Sequence, residues 1–169
     1  MKSTVLVLLC ILSVDVWAQQ DRVFEQIDEQ LWIPYIKAYN EFNTRAFMAL
    51  HTPDVIRVKR ESSQIMVGTA YRKNEYRRNA ISQSKDWERN LEIRFVDRLV
   101  EGAIAYEVGY YRVSLHKPQS PPQVLYGMFH ATLKRIDGEW KIYIDEDEVL
   151  DDFSDCQFYK CQPLQRAQK

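Results

Sequence analysis

The side chains best suited to proton transfer lie in the second half of this sequence. In QVLYGMFHATLKRIDGEWKIYIDEDE, residues 123–148, two alternating apolar runs flank Asp137-Gly138, a pair that favours a two-residue hairpin turn. Counting outward from that turn pairs Ile136 with Glu139, Leu133 with Ile142, Ala131 with Ile144 and His130 with Asp145. His130 and Asp145 so placed form a dyad in which a carboxylate orients an imidazole for acid-base work. They fall on the wetter face of the hairpin, with Thr132, Tyr143, Lys134 and Lys141, and no Ser or Cys nucleophile stands beside them. A surface ion pair, or a pair inside a dimer interface, is therefore the plainer explanation.

Glu107 is the second catalytic candidate. On strict alternation it shares a face with Ala105, Gly109, Tyr111 and Val113, a small and apolar set that would desolvate a carboxylate and raise its pKa. Its structural alternative is a buried counter-charge to Arg57 or Lys59. Tyr35 and Tyr39 project from adjacent faces of one helical segment, as pocket-mouth hydroxyls or as core residues with satisfied tips. The acidic run Asp145, Glu146, Asp147, Glu148, Asp151, Asp152 and Asp155 lacks the glycine and the alternating spacing of a calcium loop. His51 and His116 have no histidine or cysteine at ligand spacing, so we expect no metal and no cofactor.

These residues need elements to position them. Phe24, Ile27, Leu31, Tyr35, Ala38 and Phe42 recur at helical spacing, which predicts an amphipathic helix from Asp21 that Pro34 kinks or restarts. Asn43 and Thr44 read as a break and cap for a second short helix through Leu50. Thr52, Pro53 and Asp54 read as a turn, followed by a small hairpin of Val55 to Arg60 and Gln64 to Val67 that Gly68 ends. Thr69 to Ser84 reads as a helix whose Arg72, Lys73, Arg77 and Arg78 lie on a solvated face. Four longer strands follow in a meander: Trp87 to Val100, Ala103 to His116, Gln123 to Ile136 and Glu139 to Asp147. Helices first and strands after indicate an α+β fold, with helices on one face of an antiparallel sheet.

Residues 1–18 have the layout of a secretory signal: Lys2, an apolar run from Thr4 to Val14, and a small residue, Ala18, before the expected cleavage. The run is too short for a membrane anchor, and Leu9 rules out a lipoprotein reading of Cys10. The chain has 23 Lys and Arg against 24 Asp and Glu, and the signal takes one of each. That near-neutrality argues against a nucleic-acid partner. We expect a secreted or periplasmic protein with one domain, residues 19–149, and an acidic tail, residues 150–169, that has no membrane contact once the signal is cleaved. Cys156 and Cys161 would then be an even pair in an oxidising compartment, which predicts a disulfide.

Three stretches carry a resemblance: YIKAYNEFNTRAFMALHTPDVIRV with the later Gly68, AIAYEVGYY from Ala103, and ATLKRIDGEWKIYIDED. Together they resemble the nuclear transport factor 2-like superfamily in its SnoaL-like branch. The resemblance implies a curved antiparallel sheet wrapped round a long N-terminal helix, a cystatin-like α+β barrel that encloses a conical pocket and is often dimeric through the sheet's outer face. It does not imply one activity, since the scaffold hosts isomerases, dehydratases, hydrolases, cyclases and binding modules. The carboxylate base of the ketosteroid-isomerase-like members falls at Lys59, and the Gly-Asp that usually joins the first two helices is Phe42-Asn43 here. The run Ala105, Tyr106, Glu107, Gly109 and Tyr111 does match the branch.

The expected function is an exported domain binding a small hydrophobic molecule in an aromatic-lined pocket, with Tyr35, Tyr39, Arg57, Lys59, Glu107 and Tyr111 as its ligand-binding residues. The rivals are an isomerase, dehydratase or hydrolase of the same fold acting through Glu107 or the His130/Asp145 pair, and a purely homodimerising module. In addition we expect a homodimer through the wet face of the sheet, where Tyr126, Met128, His130 and Tyr143 lie.

Overall fold

A computed structural model describes residues 20–83 and 86–164. The expected signal segment, residues 1–18, lies outside the described residues. Helix α1 runs over residues 20–40, followed by α2 (Thr44–Ala49), β1 (His51–Lys59), β2 (Gln64–Val67) and α3 (Thr69–Gln83). Then come β3 (Glu88–Glu101), β4 (Ile104–His116), β5 (Gln123–Ile136), β6 (Glu139–Leu150), the one-turn α4 (Asp155–Phe158) and the short β7 (Gln162–Pro163). The seven strands form one curved, unclosed sheet in the order β2-β1-β6-β5-β4-β3-β7. Every neighbouring pair is antiparallel except β1 and β6, which are parallel.

Pro34 does not interrupt α1: regular α-helix resumes at Ile33 with Pro34 in its first turn. It has no N–H to donate, and the helix absorbs the loss one turn earlier as a π-helical segment, Asp28–Trp32, closed by the Ile33 N–H on the Asp28 carbonyl. That wider turn buries Asp28, Leu31 and Trp32 together against the sheet. Burying each large apolar side chain of this face contributes roughly 1.5–3 kcal/mol. The turn that follows the helix includes Phe42, whose φ of 54° is the left-handed conformation a glycine adopts freely. Its ring lies 3.8 Å from the Arg89 guanidinium, which also stacks at 3.7 Å on Tyr39. Asn43 then caps α2, its side chain accepting from the Ala46 N–H at 3.1 Å.

Asp137 and Gly138 have φ of 51° and 84°, the paired left-handed geometry of a type I′ turn. The register near the turn is the expected one, Ile136 with Glu139 and Leu133 with Ile142. It then shifts: Tyr143 is an extra residue, and beyond it Thr132 faces Ile144, Ala131 faces Asp145 and His130 faces Glu146. The expected pairs of Ala131 with Ile144 and His130 with Asp145 do not form. A second bulge, between Phe95 and Asp97, does the same to β3 and turns Arg98 inward opposite Glu107.

β1 starts at His51, so Thr52, Pro53 and Asp54 are strand residues rather than a turn. The chain after β6 folds back over the outer face. Phe153 stacks on Tyr110 at 4.4 Å, Phe158 is fully buried, Tyr126 donates to Asp155 at 2.6 Å, and β7 pairs with β3 at Arg94 and Phe95. Cys156 and Cys161 are free thiols here, the first exposed and the second turned onto the Gln157 carbonyl at 3.6 Å. The expected bridge is not formed here: Cys156 lies on α4, and Cys161, beyond its end, turns its thiol onto a backbone carbonyl.

Candidate functional site

The inner side of the curved sheet, α1 and α3 together enclose a cavity of about 220 Å³. Much of its wall is apolar, made by Trp32, Leu91, Ile93, Val113 and Phe129. Gly127 makes room for another wall residue: a Cβ there would overlap the ring of Tyr111, which lies across the strand from it. Trp32 packs edge-on to Tyr35 at 5.5 Å and tilted against Phe129 at 5.3 Å, which fixes the ring orientation at the base of the helix.

The polar part of the wall is built around Arg57. Alternation from the buried Val55 points Arg57 and Lys59 inward along β1, and the β6 bulge points Asp145 and Asp147 inward beside them. Arg57 Nη1 donates to the Asp145 carbonyl at 3.1 Å and to Asp145 Oδ1 at 3.2 Å, while Nη2 lies 2.6 Å from Asp147 Oδ1. Tyr71 of α3 donates to Asp145 Oδ2 at 3.0 Å. His51 donates from Nδ1 to the Phe47 carbonyl at 2.9 Å and sets Nε2 3.6 Å from Asp145 Oδ2.

The two aspartates are driven in opposite directions. Burial works to raise the Asp145 carboxyl, but Arg57, His51 and Tyr71 outweigh it and hold it at about 2. For Asp147 burial wins over Arg57, and the neighbouring Asp145 charge adds to it, so its carboxyl is raised. Burial also raises the phenols of Tyr35, Tyr39 and Tyr111. Asp145 is thus a fixed anion, whereas Asp147 borders the cavity as the group nearer to exchanging a proton.

Of the residues singled out in the sequence, Tyr35, Tyr39, Arg57, Lys59, Tyr111 and Asp145 line this cavity. Glu107 does not. It is fully buried beneath Trp32, whose Nε1 donates to Oε2 at 2.6 Å, and its counter-charge is Arg98 at 2.6 Å rather than Arg57 or Lys59. Arg98 also forks onto Asp28 at 2.7 and 3.1 Å, closing a buried acid-base-acid cluster. Burial raises the Glu107 carboxyl, opposed by Arg98 and by the Trp32 hydrogen bond. His130 sits on the outer face, 2.7 Å from the Tyr106 hydroxyl, and Asp145 on the inner one, so the dyad expected from the hairpin does not exist. Sequence reasoning weighed Asp147 and His51 only as metal ligands and Tyr71 only as an inner residue of its helix, not as parts of this site. For Asp147 the signal was present: Asp145, Asp147 and Val149 alternate, so whatever turns one inward turns all three.

The curved sheet wrapped on one long helix is the nuclear transport factor 2-like, cystatin-like fold. An NTF2-like protein with a cystatin-like fold from Novosphingobium aromaticivorans superposes with a TM-score of 0.62 at 16% identity, covering 85% of this chain and 90% of that one. A ketosteroid isomerase-like protein from Erwinia carotovora atroseptica gives 0.59 at 12% identity, covering 75% and 96%. An NTF-2 like protein of unknown function from Shewanella oneidensis gives 0.56 at 18%, covering 70% and 93%. No family model and no curated protein matches the sequence.

Proposed function

We propose that this chain is an exported domain that binds one small, largely apolar molecule in the cavity between α1, α3 and the sheet. The observation that carries the reading is a wall part aromatic and part ionic around about 220 Å³ of space. Ligand sites usually measure about 300–1,000 Å³, and a dry cavity of about 150 Å³ takes benzene, so the ligand is a single ring with a short substituent. Ala131 lines the cavity, and Ala131→Phe should fill it. The test is a thermal-shift and calorimetric screen of monocyclic aromatic compounds. Binding by the parent and none by Ala131→Phe supports the reading; equal binding by both places the ligand elsewhere.

A second reading rests on Asp147. Its raised carboxyl at the cavity wall suits a general acid or base in an isomerase or dehydratase; one neighbour is described as ketosteroid isomerase-like and another as a dehydratase from the NTF2-like family. Turnover that Asp147→Asn abolishes without loss of binding would favour it. We also propose that the outer face pairs two copies through Met128, His130 and Tyr143, Tyr126 being occupied by the chain's own C-terminal segment. A purely monomeric species in light scattering at micromolar concentration would remove that proposal.

A further inference from the structure

The charges on the cavity wall do not balance, and the imbalance has an address. Three cations, Arg57, Lys59 and Arg78, line it with four carboxylates, Glu61, Glu75, Asp145 and Asp147. Arg78 is taken by Glu75 at 2.9 Å, and Lys59 has Glu61 at 3.9 Å. Arg57 alone serves both remaining acids. Asp145 has further donors in Tyr71 and faces His51, whereas Asp147 has Arg57 as the one side-chain partner among the described residues. A carboxylate has room for several more donors than that single contact uses.

The surroundings of Asp147 are aromatic. Phe129 is its cross-strand partner on β5. Tyr111 lies close enough that the Asp147 charge is, after burial, the main influence raising its phenol. Tyr35 and Tyr39 line the same cavity, and neither hydroxyl has a hydrogen-bond partner among the described residues. Anionic oxygen flanked by aromatic faces is the combination that favours an organic cation, through a charge-assisted hydrogen bond and attraction to the rings.

We infer that the ligand of this cavity carries an ammonium group, which docks on Asp147 while its ring lies against Trp32, Phe129 and Val113. The inference rests on the cavity being a ligand site, as proposed above, and adds the charge of what enters it. An anionic ligand would meet the surplus carboxylate, and a neutral one would leave it unbalanced.

The test uses three probes with one skeleton: 2-phenylethylamine, 2-phenylethanol and 3-phenylpropionate, titrated calorimetrically into the purified protein at neutral pH. The amine should bind tighter than the alcohol by about tenfold or more, as a charge-assisted contact implies, and the propionate weakest. In Asp147→Asn the amine should lose its advantage over the alcohol. An alcohol or propionate that binds as well as the amine overturns the charge inference and leaves the pocket reading standing. Failure of all three at millimolar concentration overturns the pocket reading, and this inference with it. Should Asp147→Asn fold poorly, the ranking in the parent protein alone decides.

Discussion

Arg98 Nη2 stands 2.6 Å from Glu107 Oε1 across β3 and β4, with both side chains withdrawn from solvent and Asp28 on the guanidinium's other side. Because Asp28 remains to hold Arg98, Glu107→Gln should lower stability by about 2 kcal/mol, the loss of one charged hydrogen-bonded contact. Arg98→Met takes the guanidinium away from both Asp28 and Glu107 and should cost more, on the order of 3–5 kcal/mol. Chemical denaturation of the two variants gives the order directly. A Glu107→Gln protein as stable as the parent would contradict the structural role of this cluster.

The Asp145 carboxyl supplies a pH signature. Its folded pKa, about 2, lies below its ordinary value of 3.8. Its stabilisation is therefore complete above the unfolded value and is lost as pH falls from about 4 toward 2, amounting to about 2 kcal/mol. The stability gap between the parent and Asp145→Asn should be wide at pH 5 and narrow at pH 2.5. Asp147 and Glu107, both raised, act in the opposite sense, favouring the fold as pH falls through their folded values. A gap between parent and Asp145→Asn that does not change with pH would show that Arg57 does not depend on this partner.

Gly127 should be intolerant for a reason confined to the cavity. A methyl group there overlaps the Tyr111 ring, so Gly127→Ala must push that ring into the cavity or out of its packing. We expect a loss of stability of about 1–3 kcal/mol together with at least tenfold weaker ligand binding, whereas Tyr111→Phe should leave stability nearly unchanged. Crystallography of Gly127→Ala with Tyr111 unmoved would refute the account.

The reading of residues 1–18 as a signal predicts a mature chain that begins at Gln19. Intact mass of the protein recovered outside the cytoplasm is the measurement, and a chain retaining Met1 to Ala18 would contradict export by this route. The same spectrum, taken with alkylating reagent before reduction, should show two modified thiols if Cys156 and Cys161 stay free as they are here.

Local chemistry carried much of the fold in plain view. Asp137-Gly138 announced its turn, Asn43 its cap, and the spacing from Phe24 to Phe42 its helix. Alternation also placed Glu107 on the inner face, with Ala105 and Gly109. What it could not supply was the partner of Glu107 or the inward facing of Asp145, and the cause is the same in both cases. Each depends on a bulge, at Val96 in β3 and at Tyr143 in β6, which reverses the parity of everything beyond it. Beyond each bulge the inward side chains meet distant elements, Asp28 and Trp32 for the first and Arg57 and Tyr71 for the second, and counting along a strand does not reveal such partners. The π-helical turn before Pro34 is similar: the missing N–H was legible, but the way the helix absorbed it was not.

The extra residue in β6 also bears on how the chain reaches its native state. The hairpin can zip from its turn through Leu133 and Ile142 on local information alone, and at Tyr143 the local pattern would continue by turning Ile144 inward and both aspartates out. The native choice is enforced when β1, distant in sequence and parallel to β6, delivers Arg57 to Asp145 and Asp147. Refolding thus contains a register decision that waits on a long-range contact, and such contacts form late because loop closure precedes them. Arg57→Met should refold with an added slow phase from a slipped strand, visible by stopped-flow tryptophan fluorescence. Single-exponential refolding at the parent rate would mean that the bulge is set within the hairpin itself.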